Sequence, residues 1–235
     1  MDTQTRHALK NDKFVQATAS SVSWVSGHRS SVVRWGIGVA VALGLGAAGL
    51  WFLTTRTSAA DAALGAALDT YSAPLAQPGA PAEAGTYATA AERSKAANQQ
   101  FTAVAAQYSW LPESAKAHYF AGVTDLEMGQ TASAETELKT AAGAWNRDVA
   151  NLATLALAGL YHQSGRDAQA IDLYNALAAK PSETVSAGAA QLALADLYAA
   201  TGKQDQAKAI WAKLKDADKE GAAGSIASEK LAAKQ

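Results

Sequence analysis

The sequence predicts an all-α protein, with one membrane-spanning helix near the N-terminus followed by a stack of about four helix pairs and a C-terminal capping helix. Three observations predict it. Alanine dominates a composition that holds only 5 prolines, so strong helix formers far outnumber breakers. Nineteen consecutive residues from Trp35 to Leu53 carry no charge. A glycine following an apolar stretch recurs at Gly129, Gly165 and Gly202 with the same neighbours each time.

The first 56 residues differ so strongly from the rest that about 180 are left for a globular part, one domain's worth. The expected division is a short N-terminal segment over 1–34, a membrane helix over 35–53 and a repeat domain over 54–235. With 0 cysteines there are no disulfides, thiolate metal sites or cysteine nucleophiles. The net charge of −1 hides an asymmetry: residues 1–34 hold five Lys/Arg against Asp2 and Asp12, whereas 57–235 hold fourteen against nineteen Asp/Glu. That balance argues against a basic face for nucleic acid.

At ~1.5 Å per residue the uncharged run covers a hydrocarbon core of ~30 Å. Trp35 and Trp51 stand near its two ends, where an indole keeps its ring in the apolar layer and its N–H in the wet interface. Arg29 and Arg34 precede the run and Arg6, Lys10 and Lys13 lie further upstream, while the far side offers only Arg56 before Arg93. The positive-inside rule then sets the N-terminus in the cytoplasm, with Arg34 and Arg56 flanking the span. A cleavable signal peptide is the competing reading, since Thr57, Ser58 and Ala59 are small, but 34 residues precede the run.

A second competitor lies inside the run. Gly44-Leu45-Gly46-Ala47-Ala48-Gly49 follows an apolar stretch and matches G-x-G-x-x-G, a dinucleotide fingerprint that works only inside a βαβ unit. Nothing downstream supplies a second strand, so a nucleotide-binding enzyme built on Gly44, Gly46 and Gly49 is a remote alternative. Small residues at Gly36, Ala40, Gly44 and Ala48 read instead as one face of a membrane helix. Upstream, Phe14, Val15, Thr18, Val22 and Val25 fall at helical spacing, which fits an interface-lying amphipathic helix, against a serine-rich disordered segment.

Residues 57–73 read as a helix that ends at the loop Pro74–Pro81, and helix returns from about Ala88 to Tyr108, with Pro112 ending that stretch. From there the chain repeats. The three glycines are spaced 36 and 37 residues apart. Five residues after each comes Ala134, Ala170 or Ala207; nine after, Leu138, Tyr174 or Trp211; twelve after, Ala141, Leu177 or Leu214. Seven before stands Gly122, Ala158 or Ala195, small enough for two helices to approach closely, and four before stands Asp125, Tyr161 or Tyr198.

This phasing resembles the tetratricopeptide repeat (TPR) superfamily, most closely at Leu194–Gly202 with Ala207 and Trp211. The resemblance implies a TPR-like α-solenoid with units near 57–111, 112–147, 148–184 and 185–220 and a cap over 221–235. It also implies a groove lined by the first helix of each pair. Carrying the register over places Lys116, Tyr119, Val123, Leu126 and Glu127 there, then Leu152, Leu155, Gly159, His162 and Gln163, then Leu192 and Asp196 beside Ala189, Ala199 and Ala200. This chiefly apolar lining suits extended hydrophobic segments or an amphipathic helix, or a second copy of the chain as a homo-oligomer.

No catalytic constellation accompanies it. His118 and His162 stand singly, His7 and His28 precede the span, and acidic pairs such as Glu135 with Glu137 and Asp216 with Asp218 read as solvated. The expectation is no enzyme activity, no cofactor, no metal and no small-molecule substrate. The whole layout resembles the family of the ancillary subunit of the SecYEG translocon, bacterial inner-membrane proteins with one anchor and a periplasmic repeat domain. That resemblance implies partners among translocon components, periplasmic chaperones and unfolded client chains; a TPR scaffold for cell division or envelope assembly is the alternative.

Overall fold

The computed structural model describes residues 29–76 and 85–233. The expected amphipathic helix over Phe14–Val25 and most of the proline loop lie outside the described residues. The described residues form nine α-helices and no strand: α1 Arg29–Tyr71, α2 Ala90–Gln107, α3 Pro112–Glu127, α4 Thr131–Ala142, α5 Arg147–Gln163, α6 Asp167–Ala179, α7 Ala187–Ala200, α8 Gln204–Ala217 and α9 Ala222–Ala232. The chain divides into two units, Met1–Arg56 and Thr57–Gln235.

In the first unit, α1 includes a helical stretch apolar and long enough to cross a membrane, and none of that stretch is buried in the protein. Trp35 is 77% exposed and Trp51 71% exposed. The sequence reading separates a helix over 35–53 from another over 57–73, whereas α1 is one helix of 43 residues. Hydropathy changes at Thr54-Thr55-Arg56, but no glycine or proline stands there to end the helix. Both threonine hydroxyls donate back to the Trp51 carbonyl, at 3.0 and 2.8 Å, satisfying themselves inside the helix.

In the second unit, consecutive helices pack in sequence order from α2 to α9. The final stretch of α1 and α2 run antiparallel: Arg93 Nη1 donates to the Ala73 carbonyl at 3.1 Å and Gln100 Nε2 to Thr70 Oγ1 at 3.0 Å. Hydrogen bonds from Ala76 N to Tyr87 O (2.9 Å) and Tyr87 N to Pro74 O (3.2 Å) close the segment between them. Pro112 does not end a helix. It occupies the first turn of α3 after the extended Leu111, where its missing N–H is no loss.

Two kinds of junction alternate. At α3–α4, α5–α6 and α7–α8 a glycine takes positive φ, 72° at Gly129, 74° at Gly165 and 78° at Gly202. The next residue's N–H then reaches back to the carbonyl of Asp125, Tyr161 or Tyr198, at 2.8, 2.7 and 2.8 Å. This is one helix-terminating turn made three times. The other junctions start α5 and α7 with side-chain caps: Asn146 accepts from Asp148 N and Val149 N, and Ser186 from Ala189 N.

The phased positions are the core. Ala134, Leu138, Ala141, Ala158, Ala170, Leu177, Ala195, Ala207, Trp211 and Leu214 are buried, Tyr174 with them. A cluster centred on Phe101 joins Ala60, Leu64 and Ala67 of α1 to α2 and α3; its Phe101 and Phe120 rings stack 5.2 Å apart. The last helix spans Ala222–Ala232 and buries Gly224 and Ala227 against α8 and α7.

Candidate functional site: a row of half-exposed apolar residues

The candidate groove residues sit on α3, α5 and α7, the helices preceding each glycine turn. Their alanine-rich faces are turned inward, at Ala117 and Ala121, Ala153 and Ala158, Ala190 and Ala195. The adjoining face is left half covered. Tyr119, Val123, Leu126, Leu152, Leu155 and Leu192 are all intermediate in exposure. Four of these, Tyr119, Leu126, Leu152 and Leu155, pack against the same buried cluster, while Leu192 packs against the one around Trp211. Burial pushes the Tyr119 phenol above its ordinary pKa.

Three polar members of the set, Glu127, His162 and Asp196, are engaged in the protein's own contacts. Glu127 accepts from the Tyr71 hydroxyl at 2.6 Å and from the Ser94 hydroxyl, holding α1, α2 and α3 together. Burial first, and then the bonded Glu127, raise the Tyr71 pKa to about 12. His162 Nδ1 lies 2.6 Å from Asp167 Oδ1 across the Gly165 turn, and Asp196 accepts from Lys230 Nζ of α9 at 2.9 Å. Lys116 and Gln163 are exposed. The set therefore resolves into an apolar row, carboxylates bonded within the protein, and the exposed Lys116 and Gln163.

The acidic pairs are not simply solvated. Glu135 bonds Lys139 at 2.7 Å and Arg166 at 2.8 Å, and accepts from Tyr161 at 3.3 Å. The bonded Arg166 and then Lys139 hold its carboxyl down at about 2. Glu137 Oε2 lies 2.5 Å from His118 Nδ1. Asp218 accepts from Gly224 N at 3.3 Å, while Asp216 is exposed. Asp125, which stands where the later repeats have tyrosine, is 2% exposed. It accepts from Asn98 Nδ2 at 2.8 Å and Ser133 Oγ at 2.6 Å, and burial dominates to raise its pKa. In the later repeats the tyrosine carries a cation from just after the glycine, Arg166 over Tyr161 at 4.2 Å and Lys203 over Tyr198 at 5.6 Å. Arg166 and Lys203 each follow a turn glycine directly, a regularity the sequence displays and the sequence reading passed over.

Gly44, Gly46 and Gly49 lie within α1 with open space where a Cβ would be. The strand–turn–helix setting of a phosphate-binding fingerprint is absent there. Arg34 and Arg56 are exposed, Arg56 lying over the Phe52 ring at 5.3 Å. Among the described residues no group of three or more His, Cys, Asp or Glu is placed to hold a metal. A cleft of about 380 Å³ that sequence reasoning missed lies elsewhere, between the α2–α3 and α4–α5 junctions, and is lined by Trp110, Pro112, His118, Gly143 and Trp145. No family model, curated protein or solved structure matches the chain.

Proposed function

We propose that the chain is a membrane-held module for binding other proteins, with a TPR-like array of helix pairs carrying the contact surface. The observation behind this reading is the half-exposed apolar row Tyr119, Val123, Leu126, Leu152, Leu155 and Leu192, placed on the helix before each glycine turn. Apolar area that is only half packed suits an extended hydrophobic segment or an amphipathic helix. The charge bias around Trp35–Leu53 supports an N-terminus in the cytoplasm and a repeat domain on the extracytoplasmic side of a bacterial inner membrane. In that setting the layout fits an ancillary translocon subunit or chaperone-like factor that meets emerging polypeptides. A scaffold for cell-division or envelope assembly uses the same surface for a folded partner.

A photo-crosslinking residue at Leu152 or Leu155 of the full chain, in cells, separates these readings by partner. Adducts to translocon components, periplasmic chaperones or newly exported chains support the first, and adducts to division or envelope-assembly proteins the second. Adducts no different from those formed at the exposed Lys208 on α8 would overturn both.

A further inference from the structure

We propose that the end of the repeat domain bearing Trp110 and Trp145 rests on the lipid surface of the membrane that α1 crosses. This rests on Trp35–Leu53 being the span.

The antiparallel register places these tryptophans. Ala73 is level with Arg93 and Thr70 with Gln100, and Ala60 packs in one cluster with Ala105, Tyr108 and Leu111, so the Thr57 end of this stretch of α1 lies by the α2–α3 junction that holds Trp110. Ser114 Oγ of α3 donates to the Ala105 carbonyl at 3.1 Å and His118 meets Glu137 of α4, so the start of α3 and the end of α4 share that level. Trp110 and Trp145 accordingly line one cleft. Connectivity does the rest: the apolar run stops at Leu53 and Thr57 is four residues on, at most about 14 Å even if fully extended. The end of the domain that includes Thr57 is therefore held within reach of the lipid headgroups.

The chemistry of the two ends differs accordingly. At the near end Trp145 is 84% exposed and Trp110 55%, whereas Trp211 is fully buried in the core. An indole offers roughly 200 Å² of apolar surface together with an N–H donor, the combination that favours the membrane interface over either water or hydrocarbon. The exposed Arg147 follows Trp145 by two residues, and Lys116 lies one turn beyond Pro112, both suited to lipid phosphate. The turns at the opposite end, Met128–Thr131, Ser164–Asp167 and Thr201–Gln204, carry no aromatic residue.

The chain has no cysteine, so single-cysteine reporters can be placed in the full protein. Ser109→Cys beside Trp110, Gln130→Cys in the opposite turn and Leu43→Cys within the span would each carry a nitrobenzoxadiazole label in vesicles of phosphatidylethanolamine and phosphatidylglycerol. A nitroxide on the lipid headgroup is expected to quench the Ser109→Cys label more than the Gln130→Cys label. Adding Trp110→Ser and Trp145→Ser should lower that quenching to the Gln130→Cys level while helix content is unchanged; if the pair impairs folding, Trp145→Ser alone serves. Unchanged Ser109→Cys quenching in the tryptophan variant, with the Leu43→Cys label quenched by an acyl-chain nitroxide, overturns the docking and leaves the span intact. A variant that keeps the quenching but loses a crosslinked polypeptide makes the cleft a peptide site and also overturns it. A Leu43→Cys label out of reach of the acyl-chain nitroxide removes the span and this proposal together.

Discussion

Gly122 on α3 faces Leu138 on α4 so closely that a Cβ on the glycine would lie 2.7 Å from the leucine Cγ and 3.2 Å from its backbone nitrogen. Both belong to phased sets of the repeat, and the contact shows what the small residue before each turn is for. Gly122→Ala gains about 1 kcal/mol of helix propensity against an overpacking cost of about 1–3 kcal/mol, so it should be neutral to mildly destabilising. Gly122→Val lacks that gain and adds bulk, and should clearly lower the urea midpoint. In a double-mutant cycle with Leu138→Ala the losses should be less than additive; strict additivity would mean that the two helices separate freely.

The three turn glycines should behave alike. Each holds a φ between 72° and 78°, a region that costs an L-residue roughly 1–2 kcal/mol. Gly129→Ala, Gly165→Ala and Gly202→Ala are expected to destabilise by about that amount each, and the asparagine variants by less. Equilibrium unfolding of the six variants checks this, and an alanine variant as stable as wild type would contradict the turn geometry.

Two carboxylates should shape the acid limb in opposite directions. Glu135 is held at about 2 by Arg166 and Lys139, below its unfolded value of ~4.3. Its contribution is complete above that value and is lost as pH falls towards about 2. Asp125 is raised by burial, so its contribution falls as pH rises from the unfolded value through the folded one. Glu135→Gln should therefore flatten the loss of stability between pH 4 and pH 2, and Asp125→Asn should remove a decline on the higher-pH side. Urea midpoints measured from about pH 2 to 7 test both signs. Glu135 is partly exposed, so its effect should also shrink in high salt.

Tyr71 provides an alkaline counterpart. With its hydroxyl bonded to Glu127 and its pKa raised to about 12, the folded state keeps a proton that the unfolded state releases near ~10. Stability should fall as pH rises from 10 to 12, and Tyr71→Phe should remove that slope. At neutral pH the same variant should cost about 1 kcal/mol and loosen α1 from α3. Limited proteolysis between Tyr71 and Ala90, compared with wild type, reads out the loosening.

Much of the helical layout was legible because its signals are local. Glycine turns, alanine-lined helix faces and an uncharged apolar run follow from backbone sterics, periodicity and hydropathy within a few turns of chain. The phase of Ala134, Leu138 and Ala141 relative to Gly129 already marks the buried face. The continuity of α1 through Thr54 was missed because the sequence reading let a change in hydropathy stand for a break in the helix. Of the candidate groove residues, the apolar members were named by register alone, and they lie half exposed beside the buried alanine faces of their helices.

Their polar companions were decided elsewhere. Glu127 finds Tyr71 and Ser94 at separations of 56 and 33 residues, and Asp196 finds Lys230 34 residues away. No periodicity encodes such pairs, because they depend on which helices stack and on the level at which each crosses its neighbour. The sequence by itself determined the helices, an apolar stretch long enough to cross a membrane, and the buried positions phased to each glycine turn. Only the tertiary structure decided which carboxylates are stapled, and that Trp110 and Trp145 share a cleft at the level of Thr57, since side chains far apart in sequence meet only once antiparallel packing fixes their common end.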